Sequence, residues 1–173
     1  MNTHRKVRMK AKHFALAALM LLPGLSWATT AGNTFQVTAT VISSCTVSGT
    51  TLNFGSSIDA LATATPLDAT STLSVQCTNT TPYAVSLNAG SNAGGATNFS
   101  ARAMKSGTHT LAYQLYLDVA RSSVWGDGTA SSATSSSTGT GSTQTLNIYG
   151  RLPSLANVVP GSYTDTVTVT VTY

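Results

Sequence analysis

Two side chains in this sequence are suited to covalent chemistry with each other: Cys45 and Cys77, the only cysteines. An even cysteine count in an exported chain reads as a disulfide. Closing a loop of that length stabilises a fold by about 3–4 kcal/mol in the chain-entropy picture. A metal site is the poorer use of the same sulfurs, because no histidine lies near either in sequence. Beyond residue 28 the one imidazole is His109, which sits beside the Ser106-Gly107 turn. Serine is abundant enough to write a Ser–His–Asp triad around it on paper, but no nucleophile-elbow motif supports one. Asp118 and Asp127 read as turn caps. No spacing resembles a calcium loop or a glycine-rich phosphate cradle. Tyr113, Tyr116, Tyr149 and Trp125 offer aromatic surfaces for a sugar, although alternation puts Tyr113 in the core. The expectation is no enzyme, no catalytic or cofactor-binding residue, no metal and no small-molecule substrate.

The compartment follows from the start of the chain. Arg5, Lys6, Arg8, Lys10 and Lys12 form a basic region, Phe14 to Leu22 an apolar one, and Ser26-Trp27-Ala28 a small-residue cleavage site. That order is a secretory signal peptide over residues 1–28, with cleavage after Ala28 favoured and after Ala31 as the alternative. The apolar run is too short to span a bilayer well. Five of the nine Lys and Arg lie in this segment, which leaves Arg102, Lys105, Arg121 and Arg151 against five Asp and a net charge of −1. No electrostatic footprint for nucleic acid survives.

The remaining residues are Ser- and Thr-rich, lack Glu altogether and alternate. In Thr34 to Ile42, Phe35, Val37, Ala39 and Val41 share one face, which is the period of a half-buried strand. Cys45 keeps that parity. Leu52 to Gly55 reads as a short strand, and Ser56 to Ala69 as a loop. Thr72 to Cys77 and Tyr83 to Asn88 read as strands with Leu73, Val75, Cys77, Tyr83, Val85 and Leu87 inward. Phe99 to Met104 is a short strand and Leu111 to Val119 the strongest central one. Thr129 to Thr143 is a flexible loop, and Gln144 to Arg151 a strand. Tyr163 to Tyr173 closes the chain with Val167, Val169, Val171 and Tyr173 on one face. Short strands between Gly, Asn and Pro turns, without a long amphipathic helix, predict an all-β sandwich or barrel. The last strand is a long edge that needs covering.

Several segments, taken in this order, carry a resemblance. They are Ser43-Ser44-Cys45-Thr46-Val47 after an alternating strand, Leu52-Asn53-Phe54-Gly55, Ser74-Val75-Gln76-Cys77, Leu111 to Asp118, Leu146 to Gly150, and Pro160-Gly161-Ser162-Tyr163 through Tyr173. Together they resemble the spore coat protein U domain family, the pilins of archaic, Csu-like chaperone–usher pili. The resemblance implies an incomplete immunoglobulin-like sandwich over residues 43–173, completed by donor-strand complementation. It implies an N-terminal extension over residues 29–42 whose Phe35, Val37, Ala39 and Val41 are donated to a neighbour. The edge formed by Val167, Val169, Val171 and Tyr173 would border the accepting groove.

The implied partners are other pilin subunits, a periplasmic chaperone and an outer-membrane usher. The implied route runs through the periplasm to the cell surface, and the processes served are adhesion and biofilm formation. Burying the four donor side chains is worth about 5–8 kcal/mol. The alternative function is a secreted monomeric β-sandwich binding module, or a structural protein of the spore-coat kind. The same burial is available if the strand folds onto its own domain, so energy alone does not choose between self and neighbour.

Overall fold

The structure, a computed structural model, describes residues 27–173. The expected signal peptide therefore lies outside the described residues except for Trp27 and Ala28. The chain divides into two units, Met1–Ala39 and Thr40–Tyr173. In the first, residues 27–39 have no regular secondary structure and are exposed. No strand forms over Thr34 to Ile42 as it stands. Alternation makes a segment competent for a strand, but a ladder partner makes it one.

The second unit carries nine strands and no α-helix among the described residues. Strands β1 (Cys45–Gly49), β2 (Leu67–Cys77), β6 (Gln114–Tyr116) and β8 (Gln144–Leu152) form an antiparallel sheet in the order β1-β2-β8-β6. Strands β3 (Pro82–Leu87), β7 (Ser135–Thr138) and β9 (Val169–Thr172) form a second, in the order β7-β3-β9. A hairpin of β4 (Ala103–Ser106) and β5 (His109–Ala112) stands beside them.

The core lies between the sheets. Leu73, Val75 and Cys77 of β2, Leu115 of β6, and Ile148 and Leu152 of β8 meet Tyr83, Val85 and Leu87 of β3. All nine were left with little or no exposed surface, as period-two patterning requires. Cys45 and Cys77 face each other across the β1–β2 ladder and are bonded, Cα to Cα 4.1 Å. Trp125 is wholly buried rather than presented to a ligand, and its indole N–H donates to the Val85 carbonyl at 3.0 Å.

Arg102 is 1% exposed and, among the described residues, forms no ion pair with a carboxylate. It donates to Gln114 Oε1 and to the carbonyl oxygens of Asn88 and Trp125, each at 2.8 Å. Burial pulls its pKa down to about 10, which still leaves it charged at neutral pH.

Several segments differ from the expectation. The central strand over Leu111 to Val119 breaks at Tyr113, because β5 pairs with β4 and β6 pairs with β8. Val119 is 71% exposed in the turn that follows. Phe99–Ala101 is a 3-10 turn ahead of β4. Strand β2 begins at Leu67 because Asp68 pairs across the ladder with Arg151, at 2.8 Å. The Ser/Thr tract contains β7, which pairs with β3. An edge strand exposed on both faces leaves no apolar alternation to read. Leu52 to Gly55 forms no strand.

Candidate functional site

The terminal strand is shorter as a ladder than as a pattern. Only Val169–Thr172 pairs with β3, yet the alternation of half-buried and exposed residues runs unbroken from Tyr163 to Thr172. Ahead of β9, scattered backbone bonds and the Asn88 side chain replace the ladder. The Asn88 N–H donates to the Thr168 carbonyl at 3.0 Å, and the Thr168 N–H returns to Asn88 Oδ1 at 2.9 Å. The Ser91 N–H donates to the Thr166 carbonyl at 3.0 Å. Thr164 exchanges both backbone bonds with Lys105, at 2.9 and 3.0 Å.

All these bonds use the even-numbered residues, whose side chains are exposed. The odd-numbered residues turn their side chains inward and their backbone groups to the other edge. Among the described residues, the N–H and C=O of Asp165 and Val167 have no partner. The register continues this to Val169 and Val171, which stand in the positions opposite Leu87 and Val85. The Leu87 N–H is turned away from β9, to the Gly126 carbonyl at 3.2 Å.

Beside this unpaired edge runs a groove. Its inner chamber, about 640 Å³, lies between the rim Tyr163 to Val169 and residues 49–54, with Leu73, Leu87 and Ile148 among its lining. An adjoining outer chamber, about 1160 Å³, lies between residues 52–61 and 155–163. Leu52, Asn53, Phe54, Met104 and Tyr163 line both, which makes them one continuous groove. At the inner end the sandwich is closed, where Cα atoms of β1 and β9 come within 8 Å. At the outer end Leu61 is fully exposed and Val159 40% exposed.

The groove's lining is mixed, and one polar cluster stands out in it. Tyr113 donates its hydroxyl to Asp165 Oδ2 at 2.7 Å, and Asn92 donates to Asp165 Oδ1 at 2.9 Å. The Thr166 N–H adds a third bond to Oδ1 at 2.8 Å. Gly90 takes φ of +96° here, and a Cβ on it would collide with the Asp165 carboxylate. Burial, and then the carboxylate beside it, push the Tyr113 hydroxyl above its ordinary value, so it stays a donor at neutral pH.

Of the residues expected at a site, Val167, Val169 and Val171 are half-buried along the rim, while Tyr173 is 57% exposed and outside the ladder. Phe35, Val37 and Val41 are exposed by 87, 82 and 88%, and Ala39 is exposed as well. Asp118 and Asp127 act as turn caps: Asp118 accepts the Ser123 N–H at 2.7 Å, and Asp127 the Thr129 N–H at 2.9 Å. No group of metal-ligating side chains occurs among the described residues. Sequence reasoning missed Asp165, Tyr113's partner. The signal was present, since Asp165 is the one charged residue on the inward parity of the last strand.

Comparison with known proteins bears on this geometry. The family profile described as the Spore Coat Protein U domain matches residues 31–170. Protein U of Myxococcus xanthus is 34% identical over 132 residues, covering 72% of this chain and 73% of that protein. Among solved structures, one match is a chain of the CsuC-CsuE chaperone-tip adhesion subunit pre-assembly complex, from archaic chaperone-usher Csu pili of Acinetobacter baumannii. It has 26% identity and a TM-score of 0.57, and covers 78% of this chain and 40% of that one. The present chain thus spans less than half the length of that structural relative.

Proposed function

The chain belongs to the Spore Coat Protein U domain family, and from that premise we propose that it is a structural subunit of an archaic chaperone–usher pilus. It polymerises by donating Phe35 to Val41 to the groove of a neighbouring subunit, and the polymer serves adhesion and biofilm formation. The observation that carries this reading is the unpaired edge at Asp165 and Val167 beside an open groove floored by Leu73, Leu87 and Ile148. Strand addition to such an edge satisfies the backbone and seats alternate side chains, and chaperone–pilin complementation is a known case of it. A periplasmic chaperone covers the groove before assembly and the outer-membrane usher exchanges it. The likeness to a chain of a chaperone–subunit pre-assembly complex supports the chaperone step.

Reach argues for a neighbour's strand over the chain's own. The Ser44 carbonyl is held by the Thr78 N–H at 2.9 Å. A segment folding back beside β1 through a two-residue turn would place Gln36 opposite Gly49, where the groove begins. Only Phe35 would be left to enter it.

The test is removal of residues 29–42 from the chain co-expressed with its chaperone. Fibres are expected to disappear while a soluble chaperone complex remains; persistent fibres would overturn strand donation. A second reading, a coat protein of the spore-coat kind, is favoured by the match to the Spore Coat Protein U domain. It predicts material retained on spores and no chaperone complex.

A further inference from the structure

The outer face of the four-stranded sheet carries a cluster of aromatic and charged side chains, and we propose that it binds an acidic polysaccharide through uronate-type rings. This does not depend on the pilus reading. Over much of β2 and β8 the outward residues are small and uncharged, as at Thr72, Ser74, Thr145 and Asn147. Toward the Leu67 end of β2 the character changes. Tyr116 stands directly opposite Tyr149 in the β6–β8 ladder, and Asp68 opposite Arg151 in the β2–β8 ladder. Both tyrosines are half-buried, and they are the only aromatic residues at outward ladder positions of this sheet among the described residues. A Cβ on the intervening Gly150 would meet Leu52 and Phe54 of the groove floor, so Tyr149, next along the strand, faces away from the groove.

Positive charge is concentrated at the same corner. Of the four cations beyond residue 28, Arg102 is buried and Lys105 lies on β4. The other two, Arg121 and Arg151, both pair with Asp68, at 3.2 and 2.8 Å. Two guanidiniums against one carboxylate leave an excess of one positive charge. Asp68 takes Arg151 through Nε and Nη2, which leaves Nη1 without an acceptor among the described residues, on a side chain 31% exposed.

Arg121 steadies this platform. Its side chain is 10% exposed, donates to the Gly150 and Val119 carbonyls at 3.3 and 2.9 Å, and sets its guanidinium 5.9 Å from the centre of the Tyr149 ring. It does so from a φ of +56°, a region that is costly for a residue with a side chain. The turn is held by the Arg121 N–H on the Asp118 carbonyl at 3.0 Å. Backbone strain retained in a turn that aims a charged group points to a site.

The chemistry selects the ligand. A pyranose presents C–H bonds on one face, which pack against the electron-rich face of a ring such as Tyr116. A carboxylate on that pyranose accepts charge-assisted bonds from Arg151. A net excess of one charge matches one carboxylate per sugar, and Asp68 disfavours more densely charged chains.

The test titrates the full chain, as chaperone complex or as fibre, with calcium-free alginate oligomers, a polyuronate. Neutral dextran oligomers and dextran sulfate serve as controls. Alginate is expected to bind and dextran not to. Tyr116→Ala and Arg151→Gln should each weaken binding about tenfold, whereas Tyr116→Phe, which keeps the ring, should retain it. Asp68→Asn, which removes the competing negative charge, should tighten binding severalfold. A merely structural clasp would instead lose binding when either partner is changed. Absence of alginate binding, weakening by Asp68→Asn, or dextran sulfate bound as tightly and untouched by Tyr116→Ala overturns the proposal. So does self-association that Tyr116→Ala abolishes and alginate does not compete with, which would assign the face to a second copy.

Discussion

Strand β8 and the terminal strand carry the same alternation and end in opposite circumstances. Along β8, Leu146, Ile148, Gly150 and Leu152 point inward; β2 pairs with one edge over the whole strand, and β6 with the other over Tyr149–Arg151. From Tyr163 to Thr172 the alternation is as regular, but only one edge is occupied, partly by β3 and partly by Asn88, Ser91 and Lys105. The inward valines there stay half-buried, while Ile148 and Leu152 are sealed. Alternation reports which face of a strand is buried. It carries no information about how many edges are paired, and the proposed function resides in the edge.

The contrast can be broken first at its closed side. Trp125→Ala removes the largest fully buried side chain and its hydrogen bond to the Val85 carbonyl. It should cost about 3–5 kcal/mol, measured by guanidinium unfolding of the full chain. A loss under 1 kcal/mol would mean that the closed half does not carry the fold's stability.

On the open side, Phe35→Ala should leave unfolding of the unpolymerised chain unchanged, because the ring is exposed there. In fibres it should weaken each junction by about 1.5–3 kcal/mol, read from the guanidinium concentration that dissociates them. Equal losses in both forms would erase the distinction.

The smallest effect is electrostatic and belongs to β8. The Arg151 hydrogen bond holds the Asp68 carboxyl below its ordinary value of 3.8. A carboxyl lowered in the folded state adds stability above that value, and the gain is lost as pH falls through the lowered one. Asp68→Asn should therefore flatten the acid dependence of unfolding below about pH 4. Because the pair is exposed to solvent, the change should be slight. An unaltered acid profile would remove the β2–β8 clasp from the account.

Much of this was legible from residue pattern. The all-β class, the inward faces of β2 and β3 and the Cys45–Cys77 bond all follow from parity, because a buried face imposes a period of two. What pattern does not encode is pairing. Strand β7 was hidden because Ser135–Thr138 is polar on both faces. Tyr113 looked like the middle of one strand, yet the chain changes partners there. The groove floor at Leu52 and Phe54 resembled a strand, because apolar residues two apart line a cavity as well as they pave a sheet. Arg102 gave no warning of its burial, since its partners are carbonyl oxygens scattered from Asn88 to Trp125.

The central claim is that the outward backbone of the rim is vacant in the subunit and filled in the polymer. Amide hydrogen exchange of the full chain, before and after polymerisation, tests it residue by residue. The amides of Asp165 and Val167 should exchange freely before assembly and become protected in fibres, while those of Thr164 and Thr168, already bonded to Lys105 and Asn88, change far less. Protection of Asp165 and Val167 in the unpolymerised chain, or free exchange of both in fibres, would contradict the account.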